Sequence, residues 1–337
     1  MRRLGTRARC RPDTCWIRWR AGWLARVLLG LPALLVAMTA AAALPAGAAP
    51  PAAVLPASAG GPSPPPAALK VGVTLHPYYS WTRNITAGVA GVEVRPILPG
   101  EIDAGDYQPR PEDIKKLADL DAIVVNGIGH DDFIFGMIRA SGNRRIVVIR
   151  PNDATPQIRS LRGNAVNSHT FISFTNAVQQ TYAIARALAA LRPTLADAFG
   201  RNAAAYARRL RLIKAQAAAR LADARITRVV TVHDGYGYLL QEFGLEVAGV
   251  VQPAHGLTPS AAELRDMVKL LRRERIRVVL AEESFPPALL AVLRDEAGVR
   301  VYLISHIASG AYTAEKFEQE MRQNADTLVR ALVTDAR

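Results

Sequence analysis

"SFTNAVQQTYAIARALAALRPTLADAFGRNAAAYARRLRLIKAQAAARLADA", residues 173–224, sets the architecture of this chain. It is rich in Ala, Arg and Leu and breaks once, near Arg192-Pro193. It reads as two long helices, the second of roughly 25–30 residues, which is long for a globular protein. On either side the texture changes to β-branched runs alternating with helical patterns. Before it come "LKVGVT", "VEVRPIL", "AIVVN" and "RIVVI", separated by segments such as "PEDIKKLADL" whose apolar residues recur at helical spacing. After it come "RVVTV", "LEVAGVV", "RVVLAE" and "VRVYLIS", with "SAAELRDMVKLLRRERI" and "PPALLAVLRDEAG" as helices between them. "TAEKFEQEMRQNADTLVRALV" closes the chain as one more amphipathic helix. Such alternation predicts an α/β protein of two lobes, each with a mainly parallel sheet flanked by helices, joined by one long rigid helix. The expected boundaries are residues 69–195, 196–224 and 225–337. Ligands of open parallel sheets bind beyond the carboxyl ends of the strands, so two such sheets can share a cleft.

The 337 residues suffice for about two domains, and their formal charge of +13 looks like a nucleic-acid signal until it is located. Eight arginines against Asp13 in the first 26 residues supply +7 of it. They precede "VLLGLPALLVAMTAAAALPAGAA", a short apolar run ending in small residues. A basic start, an apolar middle and an A-x-A-like end predict a secretory signal peptide over residues 1–49, with a retained membrane anchor as the alternative. The remaining charge, about +6, and the lack of a nucleic-acid-binding motif leave no nucleic-acid reading. Cys10 and Cys15 both fall in the leader, and neither follows a lipobox-like run. The mature protein is therefore expected to be periplasmic, without disulfide, thiolate ligand or lipid anchor. Residues 50–68, "PPAAVLPASAGGPSPPPAA", read as a disordered tether.

The six histidines fall in a pattern. His76 ends the first strand, His130 follows the third in "VVNGIGHDDF", and His169 precedes the first long helix in "NSHTFIS". His233 ends the strand that leads into "TVHDGYGYLL", and His306 ends the last strand in "VYLISHIAS". Only His255 has no such position and reads as an ordinary loop residue. Imidazole is the commonest protein ligand of transition metals, so His76, His130, His169, His233 and His306 are the candidate ligands for Zn²⁺, with Mn²⁺ as the alternative. Asp234 could fix the tautomer of His233 or ligate directly. The spacing matches no short metal motif.

"GDYQPRPEDIKKLADLDAIVVNGIG", "SHTFIS", "VHDGYGYLLQEFGLEVAGV" and "LAEESFPPALL" together resemble the ZnuA-like zinc/manganese-binding proteins of ABC importers, over essentially all of Leu69–Leu332. The resemblance implies two α/β lobes joined by a rigid helix, with a metal held between them and passed to a permease in the inner membrane. It carries ligand positions onto His169 and His233. The family's first ligand would fall at Gly105, and its last, an aspartate, where this chain has Ser305-His306. His76 or His130 could fill the vacancy, or water could. Glu282 matches a strand-end glutamate of the family, and Glu283, Asp131 and Asp234 are the other acids at hand. "NDATPQIRSLRGNAVNS" contains no histidine with which to gather metal.

Tyr78, Tyr79, Tyr107, Tyr236 and Tyr238 cluster near the same loops, either as packing around the cleft or as an aromatic wall for a chelate. The leading expectation is a monomeric periplasmic binding protein that captures zinc or manganese and is not an enzyme. A binding protein for a metal chelate or non-metal ligand is one alternative. A secreted metal-dependent hydrolase with Glu282 or Asp234 as general base is the other, although no nucleophile motif accompanies it.

Overall fold

Each β-branched run becomes a short strand, and every strand in a sheet runs the same way. The computed structural model describes residues 67–335 apart from 162, 253 and 255. The expected signal peptide, the tether as far as residue 66, and His255 lie outside the described residues. The chain begins with β1 (Leu69–Val73), α1 (His76–Ile85), β2 (Val92–Pro96), α2 (Pro111–Lys115), β3 (Ala122–Val124), α3 (Phe133–Ala140) and β4 (Val147–Ile149). These strands pair in parallel in the order β2-β1-β3-β4.

Two long helices follow, α4 (Phe174–Leu191) and α5 (Ala196–Leu221). Pro193 cannot continue α4, and a 3-10 turn at Pro193–Leu195 joins the pair. α5 has 26 residues, about 39 Å at 1.5 Å per residue. Its buried stripe, Phe199, Ala203, Tyr206, Ala207, Leu210, Ile213, Ala217 and Leu221, recurs at spacings of three and four. Its packing against α4 is the most extensive helix pairing in the fold.

The second sheet is built from β5 (Arg228–Thr231), α6 (Gly237–Gln241), β6 (Glu246–Val250), α7 (Ala261–Arg273), β7 (Val278–Ala281), α8 (Pro287–Ala297) and β8 (Arg300–Leu303). Its order, β6-β5-β7-β8, repeats that of the first. Alternate strand residues face opposite sides. Val229, Val278 and Leu280 join the core shared with the first sheet, whereas Val230, Val279 and Ala281 pack with Leu264, Val268 and Leu293 of α7 and α8. In both sheets the winding reverses between the two central strands, and the crevice outside their carboxyl ends is where such sheets bind ligands.

After β8 the chain leaves the second sheet. α9 (Lys316–Val329) packs on α1 and α5, with Phe317 edge-on to Trp81 at 5.1 Å. The connecting segment is fastened to the first lobe along its length. Gly310 N donates to Gly100 O at 2.7 Å, Ser80 Oγ donates to Thr313 O at 2.7 Å, and Asn84 Nδ2 donates to Ala314 O at 2.8 Å. Gly100 must be glycine, because a Cβ there would lie 2.4 Å from Gly310 O. Both sheets lie within one compact unit, Ser63–Arg337. Among the described residues no helix is long and apolar enough to cross a membrane.

One carboxylate ties the lobes at the start of α4. Glu242, just past α6, accepts from Ser173 Oγ at 2.9 Å, Phe174 N at 3.0 Å and Thr175 N at 2.6 Å. Helix amino ends leave N–H groups unpaired and favour a negative charge, so Glu242 meets both needs. Glu242→Gln keeps the size but leaves only one acceptor oxygen. The expected loss is roughly 1–3 kcal/mol, read as a lower urea midpoint. An unchanged midpoint would show the contact to be incidental.

Candidate metal centre

Three turns at strand ends or helix starts aim imidazoles at one point. His233 follows β5, His306 follows β8, and His169 lies in the turn before α4, where Ile172 N donates to His169 O at 3.0 Å. All three are buried. Their ring centroids are 4.6 Å (His169–His233), 4.8 Å (His233–His306) and 5.0 Å (His169–His306) apart. One ligand atom from each lies within 4.8 Å of the others.

The hydrogen bonds set which nitrogen each ring offers. His169 Nδ1 lies 2.9 Å from Asn167 Oδ1, which also accepts from His169 N at 3.0 Å. Asn167 Nδ2 donates to Asp234 O at 2.6 Å, so the orientation of that amide follows from its partners. His233 Nδ1 lies 3.2 Å from Gln252 Oε1. Amide oxygens only accept, so against these partners a neutral ring carries its proton on Nδ1 and presents its lone pair on Nε2. Those two Nε2 atoms face each other at 2.9 Å. Two lone pairs at that distance repel unless a cation lies between them, and the cation can be a proton or a metal ion.

His306 completes the group from the other side. Its Nδ1 is 2.8 Å from Asp103 Oδ2, and Asp103 Oδ1 is 2.9 Å from His130 Nε2. Burial alone would lower the His306 pKa, but Asp103 and then Glu282 outweigh it and raise the ring to about 9. Burial pushes Asp103 up, yet His130 and His306 hold it well below the usual carboxylate range. Ile307, fully buried, takes φ 60°, a left-handed conformation that β-branched residues avoid. That turn costs roughly 1–3 kcal/mol and redirects the chain immediately after His306.

The five sequence-predicted ligands divide. His169, His233 and His306 come together. His130 stands beside them, 5.1 Å from the His169 ring and bound to Asp103. His76 is directed elsewhere: its Nε2 meets Gly310 O at 2.9 Å and its ring stacks on Tyr312 at 3.9 Å. Burial lowers its pKa, against the hydrogen bond to Gly310. It fastens the segment that carries His306.

The acids also differ from expectation. The partner of His233 Nδ1 is Gln252 and not Asp234, whose carboxylate accepts from Ser160 Oγ (2.5 Å) and Leu161 N (3.0 Å). Asp131 accepts from Thr74 Oγ1 (2.5 Å), Asn126 N (2.7 Å) and Gly127 N (2.8 Å), which shapes the loop after β3. Glu282 accepts from Tyr236 Oη at 3.0 Å. Asp103, Gln252 and Asn167 were not singled out in the sequence. Each lies outside the regular strands and long helices, and its only signal is position beside a strand end or a histidine.

A cavity of about 630 Å³ adjoins the imidazoles, with His233 and His306 on its wall and Glu101, Asp106, Glu282, Glu283 and Glu320 around it. None of the five tyrosines named above lines it. Tyr107 donates to Asp113, and Tyr238 donates to Asn167 O at 2.8 Å, so these rings brace the loops. The Asp-Tyr-x-Pro-x-Pro-x-Asp run thus has a structural cause.

Gly235 makes room for the rings. A Cβ there would lie 2.7 Å from His233 Cδ2 and 3.1 Å from His306 Nε2. Gly235→Ala should therefore displace one imidazole and weaken metal binding by roughly 1–3 kcal/mol, measured by calorimetry. Wild-type affinity in that variant would show that the rings have slack.

Paired doubly wound lobes enclosing a buried imidazole cluster define a two-lobed solute-binding protein of the metal-binding kind. The chain belongs to the family described as "Zinc-uptake complex component A periplasmic", whose model matches residues 71–331. It is 44% identical to the SBP FpvC of Pseudomonas aeruginosa, solved in complex with Mn²⁺, over 80% of this chain and 99% of that one, with a TM-score of 0.75. The Ni²⁺ complex of FpvC matches with a TM-score of 0.74 over 80% and 98% of the two chains, also at 44% identity. Among curated relatives, the zinc-binding lipoprotein AdcA of Streptococcus pneumoniae is 23% identical over 257 residues, 72% of this chain and 50% of that protein. The chain thus spans about half the length of that relative. The family is thus described by zinc uptake and this relative by zinc binding.

Proposed function

We propose that this protein is a periplasmic solute-binding protein that captures a divalent transition metal at His169, His233 and His306 and delivers it to an ABC importer in the inner membrane. The observation that carries the reading is the pair of Nε2 atoms 2.9 Å apart, each ring held by its Nδ1 so that the lone pair faces inward. Zinc is favoured over manganese, because the converging donors are nitrogens and manganese prefers oxygen. The complexes of FpvC with Ni²⁺ and Mn²⁺ support a divalent ion and add nickel to the ions worth testing. His130 stands beside the three rings with its Nε2 on Asp103. The protein would work as a monomer, since all three converging imidazoles come from one chain.

The test is elemental analysis of protein purified without chelators, followed by calorimetry of the demetallated protein with zinc, manganese and nickel. About one ion per chain and tight binding are expected, on the pattern of protein-only ligand sets. No heat with any divalent ion would overturn the reading.

A second reading, uptake of a metal chelate, draws on the cavity, which is far larger than an ion. Its carboxylates oppose an anionic chelate. Competition between free zinc and zinc citrate should therefore show the citrate complex binding only through the free ion, and direct binding of the complex would favour the chelate.

A further inference from the structure

We infer that Asp103 is the positioning residue of the metal centre, acting on the ion through His306; the inference rests on the metal-binding reading above. Asp103 caps the 3-10 turn Ala104–Asp106, where its Oδ1 accepts from Gly105 N at 2.8 Å. The same carboxylate meets His130 Nε2 with Oδ1 (2.9 Å) and His306 Nδ1 with Oδ2 (2.8 Å). The turn fixes the backbone, and the contacts fix the carboxylate plane.

The consequence falls on His306. A neutral ring that donates from Nδ1 to a carboxylate has its lone pair on Nε2. That Nε2 lies on the side of Gly235 and His233, where the other two imidazoles converge. Asp103 therefore orients His306 as an Nε2 ligand and makes it more basic, as carboxylate–histidine pairs do at metal ions. It also brings a negative charge within one ring of a site whose three imidazoles carry none when neutral.

Asp103 is not itself a ligand in this geometry, because it stands on the Nδ1 side of His306. Nor does a loop-capping role account for it. One oxygen would suffice to cap Gly105, and asparagine would serve. Two imidazole partners need two acceptor oxygens, and asparagine offers one oxygen and an N–H₂ group that would oppose a ring N–H. Asp103 and His130 come from the first lobe and His306 follows the second sheet, so the carboxylate also joins the two halves of the site.

The experiment compares zinc binding by wild type, Asp103→Asn, His306→Ala and the double variant. Asp103→Asn should lower zinc affinity roughly 10- to 100-fold. In the His306→Ala background the same change should have little further effect, since its action passes through that ring. An independent reading does not depend on affinity. In nitrogen-15-labelled, zinc-loaded protein, His306 should show a hydrogen-bonded Nδ1–H proton resonance, and this should be missing in Asp103→Ala. Wild-type affinity in Asp103→Asn, an equal loss with and without His306, or no such proton in the wild type would each overturn the assignment. If the wild type binds no divalent ion, the metal-binding reading itself falls, and with it this inference.

Discussion

His169→Ala or His233→Ala is expected to lower zinc affinity by a factor on the order of 100 to 1,000, if the roughly 10–16 kcal/mol of a protein-only zinc site is shared among about four ligands. Removing either ring also removes the opposition of lone pairs at 2.9 Å. The metal-free form of each variant should therefore be no less stable than the wild type, apart from the cavity left behind. Calorimetry and thermal unfolding on the same samples separate the two effects. A variant that binds zinc within a few-fold of wild type would remove the central pair from the site, and the proposed function with it.

The second large effect concerns pH. His306 is raised from 6.5 to about 9, so in the metal-free protein it contributes stability that is complete below pH 6.5 and lost as pH rises through about 9. That difference corresponds to on the order of 3 kcal/mol. His76 acts in the opposite sense. Burial lowers its pKa, so its contribution is present above pH 6.5 and lost as pH falls through its folded value. Asp103, held low by His130 and His306 against its burial, adds a loss at still more acidic pH. The metal-free protein should thus be most stable near pH 6.5 and fall off on both sides. Saturating zinc should abolish the alkaline fall, because the ion replaces the proton on His306 Nε2. Unfolding temperatures of the metal-free protein that stay flat from pH 6.5 to 9 would contradict this.

The eight β-branched runs and the long helical stretch were legible because burial on both faces of a parallel strand leaves a continuous apolar signature. An alanine-rich amphipathic stripe likewise has one plausible structure. The strands are shorter than the runs that announce them: "AIVVN" yields only Ala122–Val124, because Asn126 already turns toward Tyr78 and Ser168. The site was legible as a set of strand ends and not as a geometry. His169, His233 and His306 were foreseeable from their positions. The turning of His76 toward Gly310 depends on a chain segment 234 residues away. Asp103 carries no pattern in "EIDAGDY", and its role exists only once His130 and His306 are brought to either side of it.

The polypeptide passes between the halves twice, once through α5 and again through the segment from His306 to Lys316. The second of these crossings begins with the left-handed turn at Ile307, so the corner that places His306 also bears the backbone strain of the returning chain.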